Sequence, residues 1–419
     1  MKIAVVGAGS TYTPELVSGV SRLDIDALAL HDIDAERLEV VGGLARRMLE
    51  RQGYDGGLEL TGELDSALDA ADFVLVQIRV GGQAARLVDE TLPLACGCIG
   101  QETTGAGGLA KALRTVPVVL EIAERARELA APGAWIIDFT NPVGIVTRAL
   151  LDHGHRAVGL CNVAIGFQRT FAHALGVEPE SIVIDQVGLN HLTWIRAVWL
   201  DGRDVLEQLL AEHGEEIAAQ AGSPLDLIQE LGAIPSYYLH YFYAHDAVLA
   251  EQRDGVPRAR TVAEIERELL EQYRDPTLTE KPALLEQRGG AFYSEAAIGL
   301  IGSILRADAR VHEVDVRNDA TLEGLADDDV VEVPAQFRAG RFATLPQRPL
   351  APELLGLVQA VSAYKRLAVR AALSGEPADV RSALLAHPLV GQWDVAKELT
   401  ELLLDGGASH LTRFAREHA

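Results

Sequence analysis

The chain has 419 residues, 48% hydrophobic and 23% charged, a composition typical of folded globular proteins and long enough for two domains. A formal charge of −24 argues against nucleic acid and anionic lipid as partners, so any anionic small ligand needs arginines concentrated at its site. No window reaches the roughly 18 unbroken apolar residues of a membrane span, and the chain starts on a strand, "MKIAVVGAG", without the features of a signal peptide, so a cytoplasmic location is expected.

The first 160 residues alternate strand and helix. "KIAVVGAG" is an apolar run ending in glycines, and "TPELVSGVSRL" reads as a helix capped by Thr13 with Pro14 at its first position. "ALALHDID" is a second strand, followed by the amphipathic helix "AERLEVVGGLARRMLERQG", which Gly53 closes. "LELTG", "ADFVLVQIRV", "AWIIDFTNP" and "RAVGLCN" are strands three to six, and the helical stretch "AKALRTVPVVLEIAERARELA" is expected to break at Pro117. β-Branched runs alternating with helices indicate a parallel sheet covered on both faces. Further on, "IVIDQVGLNHLTWIRAVWLDGRDV" reads as antiparallel strands, and helices predominate beyond about residue 203. "QFRAGRFATLPQRPLAP" reads as a proline-dotted connection before two C-terminal helices. The expected fold is α/β: a Rossmann-type parallel sheet in residues 1–195, then a mixed α+β, largely helical domain in 196–419 for substrate binding and oligomerisation.

Three cysteines, an odd and sparse set, argue against a disulfide framework and fit a reducing compartment. Cys96 and Cys98 in "ACGCIG" match neither a zinc ribbon nor a redox C-x-x-C and read as structural. Gly7 and Gly9 in "GAGSTY", followed by Ser10 and Thr11, form a partial dinucleotide fingerprint, with Tyr12 where the third glycine would stand. Asp32 ends the second strand where an acid would bind ribose hydroxyls, which favours NAD over NADP; the alternative is a helix cap shared with Asp34.

Ligands of an open parallel sheet bind beyond the C-terminal strand ends. There the chain places "QIRVGGQAAR", "TNP" and "CNVAIG", together with the loop "GQETTGAGG" and the segment "GLNH". In order and spacing, "GAGSTYTPEL", "IRVGG", "GQETTGAGG", "TNP", "GLCNV" and "GLNH" resemble glycoside hydrolase family 4, and within it the NAD- and manganese-dependent 6-phospho-β-glucosidases. The likeness continues through "RGGAFYSEAA" and "LLAHPLV". The family is an exception to two-carboxylate glycoside hydrolysis.

Several roles follow from the resemblance alone. It makes Cys161 and His191 the ligands of Mn2+ or another divalent metal, where a thiolate by itself would point to zinc. The register of "IPSYYLHYFY" makes Tyr238 the base, with Tyr237 and Tyr241 as neighbours in the same run. Arg86, Asn141, Asn162 and Arg258 fall on substrate-binding positions, the two arginines supplying the positive charge that a phosphorylated sugar requires. Asn162 stands where α-acting relatives carry an aspartate, which favours the β-linked branch and leaves the acid for the leaving group unassigned. The implied reaction is redox-assisted elimination: oxidation at C3, loss of the C2 proton to Tyr238, departure of the aglycone, addition of water and return of the hydride. The expected substrate is a phosphorylated disaccharide or aryl glycoside, and the expected assembly a homodimer or homotetramer. Three other readings stay open: a 2-hydroxyacid dehydrogenase, an NAD-binding sensor without turnover, and a family 4 glycosidase for an unphosphorylated or otherwise anionic glycoside.

Overall fold

The computed structural model describes residues 1–289 and 292–414; Gly290 and Ala291, within "RGGAFYSEAA", lie outside the described residues. Six apolar runs form β1 (Lys2–Val6), β2 (Ala27–His31), β3 (Gly57–Thr61), β4 (Phe73–Val76), β5 (Trp135–Asp138) and β6 (Ala157–Gly159). They pair in parallel in the order β3-β2-β1-β4-β5-β6, with the switch point between β1 and β4. β4, β5 and β6 are buried along their whole length, which is why they read as unbroken apolar runs rather than as alternating ones.

Later segments supply β7 (Ile182–Leu189), β8 (Leu192–Leu200), β9 (Arg203–Asp204), β10 (Ile234–Pro235), β11 (Val311–Arg317), β12 (Val330–Arg338) and β13 (Arg341–Thr344). Beyond β6 the same sheet continues antiparallel through β11, β12, β7, β8 and β10, with β9 paired to β8 and β13 to β12. The architecture is therefore α/β with a parallel half and a mixed half in one sheet of 13 described strands. Residue 195 lies within β8.

Four local expectations are corrected. Tyr12, not Thr13, is the N-cap of the helix Thr13–Val20; the Thr13 hydroxyl donates to Ala8 O at 2.9 Å and accepts from Gln77 Nε2 at 2.9 Å. Pro117 does not break the chain, because the helix Gly105–Leu129 runs through it. An interior proline costs about 3 kcal/mol, and a helix buried at nearly every position around it offsets that by packing. "QFRAGRFAT" is not a connection but the hairpin of β12 and β13, fastened to the sheet by Phe337 and Phe342 packed edge-on against Trp135. Three described helices follow it rather than two: Pro352–Ser374, Pro377–Ala386 and Trp393–Gly406.

Candidate active site

The turn after β1 is latched to the end of β2. Gly7 and Ala8 both donate their N–H to His31 O at 2.9 Å, and Gly9 donates to Asp32 Oδ2 at 2.7 Å. Gly7 has φ +92°, and a Cβ there would stand 2.8 Å from Gln77 O; one at Gly9 would stand 2.8 Å from the Asp32 carboxylate. Asp32 does not cap the next helix, since Asp34 does so by accepting from Arg37 N at 3.0 Å. Gly7, Gly9, Ser10 and Asp32 open on a cavity of about 1410 Å³, with Ile33 beside them 93% exposed, whereas Thr11 is buried behind the turn. A glycine turn at a helix N-terminus, an acid at the next strand end and an exposed apolar platform together fit a dinucleotide.

At the other end of the cavity, five chain segments converge. Cys161 follows β6 by two residues and precedes the helix Val163–Leu175, and its sulfur accepts backbone N–H bonds from Asn162 and Val163. Burial, with Glu332 and Asp315 nearby, pushes the thiol well above its ordinary value, so a thiolate there calls for a cation. His191 sits in the tight turn between β7 and β8 with φ +63°, and burial pushes its ring down to about 3, leaving it neutral. The turn is held from beneath: Asn190 Nδ2 donates to Glu332 Oε2 at 2.9 Å, and Lys365 Nζ donates to Asn190 O at 3.0 Å. The Tyr238 ring stacks on His191 with centroids 3.6 Å apart and planes 8° apart. Tyr238 lines the cavity; Tyr237 is 48% exposed, and the Tyr241 hydroxyl is bonded by Gln101.

Among the described residues no group of three or more His, Cys, Asp or Glu side chains is placed to hold a metal ion. A sulfur donor and a neutral imidazole remain, and both lie just behind the cavity wall formed by Asn162 and Tyr238. That donor set fits a metal whose other positions are taken by water or substrate oxygens, not a closed structural site.

Between the two ends lies a charge hub that the sequence reading missed. Glu102 accepts from Lys111 Nζ at 2.6 Å, lies 3.2 Å from Arg86 Nε and is also paired with Arg79. These three cations hold its carboxyl well below the usual carboxylate range despite its burial. Arg86 also bonds Glu90 Oε1 at 2.6 Å, so it is not a freely presented cation. Arg258 is exposed at the start of the helix Arg258–Tyr273 and donates to Gln287 O at 2.7 Å. Asn141 follows β5; its side chain bonds Tyr293, and its buried Oδ1 has no hydrogen-bond partner among the described residues. Basic residues outnumber acidic ones along the cavity, against the charge of the whole chain. Arg79 and Glu102 lie within the motifs "IRVGG" and "GQETTGAGG", so position could have flagged them. Arg288 and Tyr293 also line the cavity and lie within "RGGAFYSEAA", so position could have flagged them too, whereas Lys111 lines it from the helix Gly105–Leu129 with no local signal.

A parallel sheet with a glycine turn at its switch point, facing across one cavity a tyrosine that stacks on an imidazole and an asparagine that follows a thiol, is the framework of a nucleotide-dependent enzyme. Residues 2–177 match the family 4 glycosyl hydrolase model, and residues 186–390 match the family 4 glycosyl hydrolase C-terminal domain. The chain belongs to glycosyl hydrolase family 4. It is 39% identical to a probable 6-phospho-beta-glucosidase of Bacillus subtilis (strain 168), over 99% of this chain and 98% of that one. It is 36% identical to the 6-phospho-beta-glucosidase of Escherichia coli (strain K12), over 93% and 91%. Its fold matches the 6-phospho-beta-glucosidase of Thermotoga maritima, solved with NAD and glucose-6-phosphate, at a TM-score of 0.92 and 35% identity, covering 98% of this chain and 99% of that one. A second structure of that protein, at 0.91 and 34% with the same coverage, also contains manganese.

Proposed function

We propose that the chain hydrolyses 6-phospho-β-glucosides with NAD and a divalent metal, Mn2+ foremost. The observation that carries this reading is the shared cavity, which runs from the glycine turn and Asp32 to Tyr238, Asn141 and Asn162 under a basic lining. The relatives named 6-phospho-beta-glucosidase, similar over nearly the whole chain, support the substrate class. In this reading residues 1–195 carry the nucleotide through Gly7, Gly9, Ser10 and Asp32, while Thr11, expected among the contacts, is buried off the cavity and supports the turn from behind. Residues 196–419 complete the substrate end.

When bound, NAD supplies a reversible hydride acceptor for the sugar C3 and the metal supplies Lewis acidity, held by Cys161 and His191. Tyr238 is the base for the C2 proton. Burial raises its phenol well above the ordinary value, so it needs the cation beside it to accept that proton near neutral pH. Its stacking on His191 keeps the oxygen beside the metal ligand, not in bulk water. Asn141 Oδ1, a buried acceptor without a partner among the described residues, is suited to a sugar hydroxyl. Glu102, held ionised by three cations, is an acceptor and not the acid that protonates the leaving group. Arg86 and Arg258, with Arg79 adjoining, supply cationic donors for the phosphate. Among the described residues no helix is long and apolar enough to cross a membrane.

The test is turnover of 6-phosphorylated and plain aryl β-glucosides with NAD+ and Mn2+ supplied. Hydrolysis of the phosphorylated substrate without net NADH formation is expected. Stoichiometric NADH would instead indicate a dehydrogenase, and equal efficiency on the plain glucoside would remove the phosphate from the substrate definition.

A further inference from the structure

The loop 100–108 contains a short relay whose hydrogen-bond directions can be assigned. Gln101 Oε1 accepts the backbone N–H groups of Thr103 and Thr104, the latter at 2.8 Å. Two backbone donors converge on that atom, so it is the amide oxygen. The Thr103 hydroxyl stands 2.8 Å from the same Oε1, which has no proton to give, so the single hydroxyl proton points there. On its other side Thr103 Oγ1 lies 2.9 Å from His191 Nδ1. With its proton committed, Oγ1 can only accept, and Nδ1 must carry the hydrogen. In a neutral ring the lone pair is then on Nε2.

We propose that Gln101 and Thr103 are positioning residues that lock His191 in the Nδ1–H tautomer and so make Nε2 the atom it offers to a divalent metal. The proposal rests on the reading of His191 as a ligand. The rest of the ring's surroundings act in the same direction: Tyr238 stacked on it fixes its plane, and the bonds of Asn190 to Glu332 and Lys365 fix the turn that carries it. An imidazole oriented through its second nitrogen binds metal more tightly than a free one, typically by 10–100-fold. A Thr103 hydroxyl that merely filled a buried polar site would not set which nitrogen is bare.

Two measurements on the full chain test this. Two-bond 1H–15N correlation spectra of the metal-free, 15N-histidine-labelled protein report the tautomer, with His191→Ala identifying the resonances. Wild type should show Nδ1–H. Thr103→Val should give a mixture of tautomers, and Thr103→Ser should restore the wild-type pattern. In parallel, the signal of free Mn2+ is followed by electron paramagnetic resonance as Mn2+ alone is titrated in. Thr103→Val should weaken binding about 10–100-fold, and Thr103→Ser should lie within about twofold of wild type. Should valine not be accommodated, Thr103→Ala repeats the comparison. A bare Nδ1 in wild type, or unchanged Mn2+ affinity without the hydroxyl, overturns the relay. If His191→Ala binds Mn2+ as wild type does, His191 is no ligand, and the proposal fails together with that reading.

Discussion

The two ends of the cavity are built on opposite plans. The nucleotide end is a backbone device: a turn of glycines latched by N–H bonds to the end of β2 and pressed on Asp32 and on Gln77 at the end of β4, with all parts but Gln77 within one β-α-β unit. The chemical end is a side-chain device: Cys161, His191, Tyr238, Glu102 and Asn141 come from five segments and meet only in the folded chain. The first plan tolerates most side-chain changes but not an added Cβ. The second accepts isosteric changes without harm to the fold and loses its chemistry when a single heteroatom goes. Substitutions that separate binding from turnover test this contrast.

The largest effect is expected at Tyr238. Tyr238→Phe keeps the ring stacked on His191 and deletes the oxygen, so kcat should fall by about 10²–10⁴ with little change in thermal stability. In D2O the wild-type product should carry deuterium at C2, and exchange should fall with turnover in the variant. Product without deuterium at C2 would rule out elimination. Exchange that survives in Tyr238→Phe and vanishes in Tyr241→Phe would move the base by three residues. Next come Cys161→Ser and His191→Ala, each expected to lose bound Mn2+ and activity together, measured by metal content after gel filtration. Retained metal in either variant would remove that residue as a ligand.

The same contrast explains what could be read from the chain. The glycine turn, Asp32 and the six parallel strands were legible because local apolar runs and turn residues determine them. The antiparallel half was legible only where a hairpin is contiguous, as in β7 and β8. β11 pairs with β6 across more than 150 intervening residues, and no local pattern announces such a partner. Cys161, His191 and Tyr238 were picked out by resemblance, and the structure brings Tyr238 onto His191 by stacking. The charge hub at Glu102 was not picked out: Arg86 was singled out for substrate, but Lys111 looks like an ordinary helix residue until the fold turns both onto one carboxylate.

Arg258 offers a cleaner test of the phosphate than Arg86, whose removal would leave Glu90 and Glu102 each short of a partner. Arg258 is exposed and ties only to a backbone carbonyl in the described structure. A charge-assisted bond contributes roughly 1.5–3 kcal/mol, so Arg258→Ala should cost about 10–100-fold in kcat/KM on a 6-phosphorylated substrate and little on a plain one. Equal losses on both would assign Arg258 to the sugar or the fold. At the nucleotide end, Gly9→Ala forces a methyl to within 2.8 Å of Asp32. Overpacking of this kind costs about 1–3 kcal/mol, and the expected outcome is a KM for NAD+ raised about tenfold with kcat nearly kept. A fall in kcat without a change in KM would break the division between the two ends.

The last effect is on stability and not on turnover: a pH dependence that belongs to the chemical end. His387 is 1% exposed, with Gly105 N at 3.2 Å from Nε2 and Leu389 N at 3.1 Å from Nδ1. A neutral ring can accept one of these bonds and a protonated ring neither. Burial, with Lys365 adding repulsion, pushes the ring down to about 3. The unfolded chain therefore takes up this proton first. The stabilisation is complete above pH ~6.5 and is lost as the pH falls towards 3, at up to about 1.4 kcal/mol per pH unit for one proton. His191, also pushed down to about 3 by burial, contributes with the same sign in the metal-free protein. Midpoints of thermal unfolding of metal-free protein should decline from pH 6.5 to pH 4, and His387→Gln should flatten that decline without abolishing it. Adding Mn2+ should then flatten part of what remains, because a metal on His191 excludes its proton. If the decline in His387→Gln is as steep as in wild type, a neutral buried His387 is not its source, and the acid weakness lies elsewhere in the fold.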